Sequence, residues 1–360
     1  MTVYLILAAV LTLLGLGVKA GCGPRRKKVF LWFAGILLVC VSGGRAFSVG
    51  ADTQAYVNLF QKISYVELMN PRYEPGFIAF FKLLAFIWDN PGWMLWAASV
   101  AAIGPVCGFV CKYSKGPVMS MVLYVLLGSY FFQMTGLRQS MASSVAMMGF
   151  SLLLGRRRIL SALFILLACA FHTAAAAAFL PYAVWVGMER FCPDYLTPAR
   201  AAKWTFLISA AAFTGYPLVM RLAGLILPKY TGYFSGMWSD SNYVASLLYT
   251  LVALVFFIAG ALYLRKKRLD SSGRFGLLML SFQIIFSVLS MRMEFWSRIG
   301  GLFNVYTAIL WAPEFLAAID DYRNRWLANI LVFVCSLAYM TVILLFRPEW
   351  TSVVPYSFRW

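Results

Sequence analysis

The residues able to do chemistry are few. There is one histidine, His172, against 31 lysines and arginines and 13 aspartates and glutamates. A single histidine excludes a His-rich zinc or haem site. The seven cysteines lie in or beside apolar runs, and only Cys107 and Cys111 sit one helical turn apart, a spacing that reads as small core residues. No metal and no cofactor is expected. No P-loop, dinucleotide fingerprint or G-x-S-x-G is present, which argues against ATP-driven transport by this chain. What remains is a scatter of single charges, Arg45, Arg72, Arg138, Arg221, Lys229, Arg292 and Arg298 with Asp52, Glu74 and Glu294, among many aromatic residues. Arginines hold phosphate oxygens through planar, bidentate donors, and several can grip a pyrophosphate without a metal. Tyr and Trp suit sugar faces. A carboxylate or an imidazole can take the proton of a hydroxyl. Together these suit a lipid-linked, phosphate-bearing carbohydrate.

The elements that must carry these side chains follow from composition. Hydrophobic residues make up 62% of the 360 and charged residues only 12%, where a soluble domain carries about 45–50% and about 25%. The expected fold is all-α: a polytopic integral membrane protein, a single transmembrane domain over 1–360. The net charge of +18 is dispersed in short clusters between apolar runs, so it is no nucleic-acid signal. A crossing needs about 20 mostly apolar residues. Runs of that kind fall near 2–18, 29–42, 93–111, 118–134, 139–154, 159–171, 173–188, 203–227, 244–264, 275–290, 299–318 and 326–346.

Charge sets the orientation. The first run has its cations behind it, at Lys19 and Arg25–Lys28, so it is read as an anchor with its N-terminus outside rather than a signal peptide. Placing Lys112/Lys115, Arg156–Arg158, Arg190/Arg200/Lys203, Arg265–Arg268 with Arg274, and Arg323/Arg325 in the cytoplasm collects most cations there, as the positive-inside rule asks. One crossing then remains for two stretches, 76–90 and 93–111. We assign it to 93–111 and expect 76–90 to be interfacial or re-entrant. The expectation is about twelve spans (11–13), both termini outside, with an amphipathic or re-entrant outer segment near 43–90. The outer loop 43–75 should contribute to the site and carry a short amphipathic helix over Thr53–Leu68, with Asp52 or Thr53 near its N-cap and an apolar stripe of Tyr56, Leu59, Phe60 and Ile63. The loop 228–243 offers further cations and aromatics.

Each of these residues also has a plainer reading. Asp52 can be a helix cap, Arg138 a snorkelling boundary residue, and His172 a buried histidine bonded across a helix pair. Arg292, Glu294 and Arg298 can form a salt-bridged loop.

The motifs in order say more. Arg45, Gly50, Asp52, Thr53 and Tyr56 form R-x₄-G-x-D-T-x-x-Y. Then come E-P-G-F at Glu74–Phe77, R-Q at Arg138 and Gln139, F-H-T-A at Phe171–Ala174, S-R-I at Ser297–Ile299 and P-Y-x-F at Pro355–Phe358. On these motifs, across nearly its whole length, the chain resembles the EpsG family, Wzy-like polymerases of exopolysaccharide and O-antigen. One departure stands after S-R-I, where the family often has Tyr-Phe and this chain reads Gly300, Gly301, Leu302, Phe303.

The resemblance implies a multi-pass glycosyltransferase of the bacterial inner membrane, acting at the periplasmic face. Its implied partners are undecaprenyl-pyrophosphate-linked oligosaccharides as donor and acceptor, the bilayer, a chain-length regulator and a flippase, and no nucleic acid. Among the implied catalytic groups, Asp52 is favoured as base, Glu74 comes second, and His172 can act as base or as donor to a phosphate or sugar oxygen. Arg45, Arg138 and Arg298 are expected at the pyrophosphate, with Tyr56, Gln139 and Arg292 completing the substrate contacts. Competing readings are a lipid-linked oligosaccharide flippase, which the lack of an internal repeat disfavours, a polysaccharide O-acyltransferase, and the related ligase reaction.

Overall fold

Chains this apolar can satisfy their backbone polar groups in hydrocarbon only as helices or closed barrels, and helices are what form. The computed structural model describes residues 1–18, 23–192, 196–226 and 242–359. Lys19, Cys22, Asp194, Lys229, Asp240 and nearly all of the 228–243 loop lie outside the described residues. In chain order the helices are α1 (Thr2–Gly15), α2 (Pro24–Gly43), α3 (Thr53–Gln61), α4 (Pro75–Ile87), α5 (Pro91–Tyr113), α6 (Pro117–Leu126), α7 (Ser129–Thr135), α8 (Leu137–Leu154), α9 (Arg158–Phe171), α10 (Phe179–Phe191), α11 (Pro198–Thr214), α12 (Tyr216–Ile226), α13 (Tyr243–Leu264), α14 (Ser271–Ser290), α15 (Phe295–Tyr306), α16 (Ala312–Ala317) and α17 (Tyr322–Phe346). Among the described residues there is no strand; an isolated antiparallel bridge joins Arg45 to Phe358.

Among the described residues each of the twelve apolar runs is largely helical. Of the helices in the described residues four, α5, α13, α14 and α17, are long and apolar enough to cross a membrane, or six if the bent pairs α6–α7 and α11–α12 each count as one span. The pairs bend by 53° and 86°, at Gly128, whose φ of +84° favours glycine, and at Gly215. Trp32, Leu331, Val255 and Phe346 stand out from α2, α17, α13 and the end of α17, the outward apolar faces of a membrane protein. The loop helix ends earlier than expected. α3 stops at Gln61, and a 3-10 turn covers Ile63–Tyr65. Its stripe of Tyr56, Leu59, Phe60 and Ile63 is buried as expected.

Two compact units are present, Met1–Phe179 with Asp320–Trp360, and Leu180–Ile319. In the first, α5 packs between α2 and α8, and α8 lies against α9. In the second, α14 is the central helix, in contact with α11, α13 and α15. The side chain of Trp311 fills the space beside Gly260, where a Cβ would come within 2.3 Å of the ring, and donates to the Phe256 carbonyl at 2.8 Å.

Candidate active site

The R-x₄-G-x-D-T segment links α2 to α3, and most of it is architecture. Arg45 is 1% exposed. Its guanidinium donates to the carbonyls of Val49 (3.3 Å), Ser42 and Met134 (3.3 Å) and to the Ser42 hydroxyl (3.2 Å). Thr53 donates to Val49 O at 2.7 Å and reaches Met134 O at 3.4 Å. Gly50 has φ +95°, and a Cβ there would stand 2.5 Å from the same Met134 carbonyl. Three motif residues thus converge on the end of α7, shortly before α8 begins at Leu137. The C-terminal P-Y-x-F segment straps this loop from its other side. Ala46 N donates to Ser357 O (2.9 Å), Arg359 N to Gly44 O (2.8 Å) and Tyr356 Oη to Val41 O (2.7 Å). Arg45, expected as a pyrophosphate ligand, therefore points into the protein with its donors engaged by backbone. Asp52 is the motif residue left exposed. It occupies the N-cap position of α3 without a side-chain capping bond, so the plain reading of it as a cap is met in position only.

The second cluster is built where α4, α8 and α9 meet. Pro75 starts α4 at a position that needs no N–H. Gly76 allows α4 to touch the end of α9, since a Cβ would lie 2.7 Å from Ala170 O. Phe77 is fully buried and meets Tyr56 edge-on at 5.5 Å. That approach carries Glu74 against the break after α9, where His172 is extended (φ −159°, ψ 121°) before a 3-10 turn over Thr173–Ala178. Instead of capping its own helix, Glu74 serves this turn. Its Oε1 accepts from Thr173 N (3.3 Å) and Thr173 Oγ1 (3.1 Å) and lies 3.4 Å from His172 Nδ1. Its Oε2 accepts from Arg138 Nη1 at 2.9 Å. Arg138, in the first turn of α8, also donates to Arg72 O (3.2 Å), lies 5.0 Å over the Tyr73 ring and neighbours the Tyr56 hydroxyl.

The electrostatics follow from these partners. Burial pushes the Glu74 carboxyl up, but the His172 ring, the Arg138 guanidinium and the Thr173 amide outweigh it and hold the pKa at about 2. Glu74 is thus an ionised, fully engaged orienting group. A carboxylate so stabilised is a poor proton acceptor near neutral pH. Arg138 keeps 22% of its side chain exposed, against 5% for Glu74, so a cation fixed from behind remains open to a ligand. Asp52 acts electrostatically on Tyr56, the neighbour of Arg138.

Of the expected site residues, the first unit brings together Tyr56, Glu74, Arg138 and His172, with Asp52 at the edge. Gln139 is buried beside Arg138 in sequence. Arg292, Glu294 and Arg298 belong to the second unit. Arg292 there stacks 4.2 Å over Phe213, and Glu294 is the N-cap residue of α15 without a capping bond. Two members of the cluster carried no expected role. Tyr73 was marked by an aromatic beside Arg72 and before E-P-G-F, and Thr173 by its place after the histidine.

No curated protein and no solved structure gave a match. A sequence model of the EpsG family matches residues 28–358, a range that includes every motif described above. The chain therefore belongs to the EpsG family, a Wzy-like exopolysaccharide polymerase family.

Proposed function

We propose that the protein joins oligosaccharide repeat units carried on undecaprenyl pyrophosphate into a surface polysaccharide, as a glycosyltransferase at the periplasmic face of the bacterial inner membrane. The observation that carries this reading is the Arg138–Glu74–His172 cluster beside Tyr56, in a member of this family. In the step we envisage, an acceptor hydroxyl oxygen bonds to the anomeric carbon of the growing chain. The bond from that carbon to the pyrophosphate oxygen breaks, undecaprenyl pyrophosphate leaves, and the hydroxyl proton passes to a base. Arg138 offsets the negative charge growing on the leaving group. Glu74 and Tyr73 hold Arg138 in place, and Thr173 holds Glu74. His172 donates to a phosphate or sugar oxygen. Asp52, exposed and at the edge of the cluster, takes the proton. Arg45 passes in this reading from ligand to clamp.

The finer topology belongs to the same proposal: about twelve crossings, both termini and the 43–75 loop outside, and α4 re-entrant or interfacial. A flippase that delivers the units and a chain-length regulator are the expected protein partners.

Gel analysis of surface polysaccharide tests the reading, in a strain lacking the gene and in one carrying Asp52→Asn at normal expression. Single repeat units at the surface without longer chains support a polymerase. Lipid-linked units accumulating inside, with none outside, replace it by a flippase.

A further inference from the structure

In the first unit, three successive backbone carbonyls of the C-terminal segment each serve a different element. Thr351 O accepts from Thr135 Oγ1, at the end of α7, at 2.6 Å. Ser352 O accepts from Gly50 N at 2.7 Å. Val353 O accepts from Tyr4 Oη, on α1, at 3.0 Å. An extended chain alternates the direction of its successive groups, so it offers two directions and not three. Ser352 breaks the alternation. Its φ is +50°, in the left-handed region that a residue with a side chain enters only at a cost. Its amide donates to Pro348 O at 2.8 Å and closes the 3-10 turn Pro348–Trp350. Its hydroxyl does little, lying 3.4 Å from Glu349 O. What the strained conformation delivers is the backbone carbonyl.

That carbonyl holds the turn that carries Asp52. The Asp52 side chain is exposed and makes no capping bond, so the backbone alone fixes where its carboxylate stands. The backbone here is the turn Gly50–Thr53, closed by Thr53 N on Gly50 O at 3.1 Å. Its far end is anchored by Thr53 Oγ1 on Val49 O at 2.7 Å. Its near end is a glycine at φ +95°, a residue with wide conformational freedom. Glycine keeps one conformation only if its neighbours hold it, and the bond that takes the Gly50 amide comes from Ser352 O.

We propose that Ser352 is a positioning residue for Asp52: its left-handed turn presents the carbonyl that locks Gly50, and through Gly50 the carboxylate. The role rests on the reading of Asp52 as the base. It also sets a rule for position 352. Glycine adopts φ +50° freely, whereas a β-branched side chain resists it. The effect of a substitution should therefore follow backbone conformation and not the hydroxyl.

The test uses the purified full-length protein in nanodiscs, supplied with lipid-linked repeat units extracted from the deletion strain. Two quantities are read: hydrogen exchange of the peptide over 46–53, and kcat against KM for chain extension. Ser352→Val should speed exchange in that peptide and lower kcat about tenfold with KM unchanged, as for a group displaced at the reacting step. Ser352→Thr keeps the hydroxyl and should act in the same direction, and it stands in if the valine variant fails to fold. Ser352→Gly should match the wild type in both readings. Tyr4→Phe, which frees Val353 O from α1 and leaves Ser352 on Gly50, should lower thermal stability and keep kcat. Unchanged exchange in Ser352→Val, or faster exchange at full kcat, overturns the proposal. So does an equal loss of kcat in Tyr4→Phe or in Ser352→Gly, which would make the segment a general support. The base and the strap fail separately. Full kcat in Asp52→Asn removes the base and with it the role of Ser352. A lost kcat in Asp52→Asn beside full kcat in Ser352→Val removes the role of Ser352 alone.

Discussion

At the scale of single residues, the proposed step divides between Glu74 and Asp52 the work that two carboxylates could share. Glu74 has both oxygens bonded, to Thr173 and Arg138, and a pKa held at about 2. Its folded value lies below the ordinary 4.5, so its contribution to stability is complete above the unfolded value and is lost as pH falls through about 2. Polymerisation measured between pH 5 and 8 should therefore show no limb from Glu74. Glu74→Gln should leave the Arg138 guanidinium without its charge partner, lowering stability by about 1–3 kcal/mol in a thermal melt of the detergent-solubilised protein. It should also lower activity, because Arg138 loses its orientation. Asp52→Asn should act differently. It touches no buried bond, so the melt should not move, while polymer length collapses; full-length polymer in Asp52→Asn cells would remove Asp52 as base. Arg138→Lys should be nearly as damaging as Arg138→Ala, since an ammonium cannot reproduce both the carboxylate contact and the stack on Tyr73. The sequence made the motif residues visible but not their division of labour. Arg45 and Arg138 look alike as single cations in apolar chain. Arg45 is turned inward by the carbonyls of Ser42, Val49 and Met134, and the last of these contacts spans 89 residues.

At the scale of elements, the hydrophobic pattern located nearly every helix, because an apolar run in a chain of this composition has no other backbone-satisfying form. It did not locate the breaks. Each of the runs 118–134 and 203–227 reads as one stretch, and the bends fall at Gly128 and at Gly215, just before Pro217. Nor could periodicity show that Gly76 is a contact point. That contact is testable. Gly76→Ala puts a methyl 2.7 Å from the Ala170 carbonyl, a backbone atom that cannot rotate away. The α4–α9 approach must widen, at about 1–3 kcal/mol, and Glu74 should withdraw from Thr173 and His172. The expected result is lost polymerisation with the protein still inserted and only moderately less stable. Gly50→Ala should be worse, because it adds a φ of +95° to a 2.5 Å clash with Met134 O. If Gly76→Ala kept full polymer length, the cluster would not need the geometry that this glycine permits.

At the scale of the whole molecule, the proposed chemistry demands one topological fact: the loop 43–75 and the break at His172 must face the side on which repeat units are joined. The charge pattern meets that demand through the segment between α8 and α9. Arg156, Arg157 and Arg158 come directly after Leu154 and Gly155, and the proposed topology follows the positive-inside rule in placing this turn in the cytoplasm. Arg138 at the start of α8 and His172 at the end of α9 then lie one helix length away on the opposite side. α8 and α9 pack along each other, so the two site residues share a level, as the His172–Glu74–Arg138 contacts require. A reporter fused after Gly155 reads this directly. Green fluorescent protein there should be bright and alkaline phosphatase inactive, while the same pair fused after Met69, in the outer loop, should give the opposite result. An active phosphatase after Gly155 would put Glu74, Arg138 and His172 on the cytoplasmic side. The cluster could not then join units delivered to the outside, and its chemistry would have to act on lipid-linked units before export.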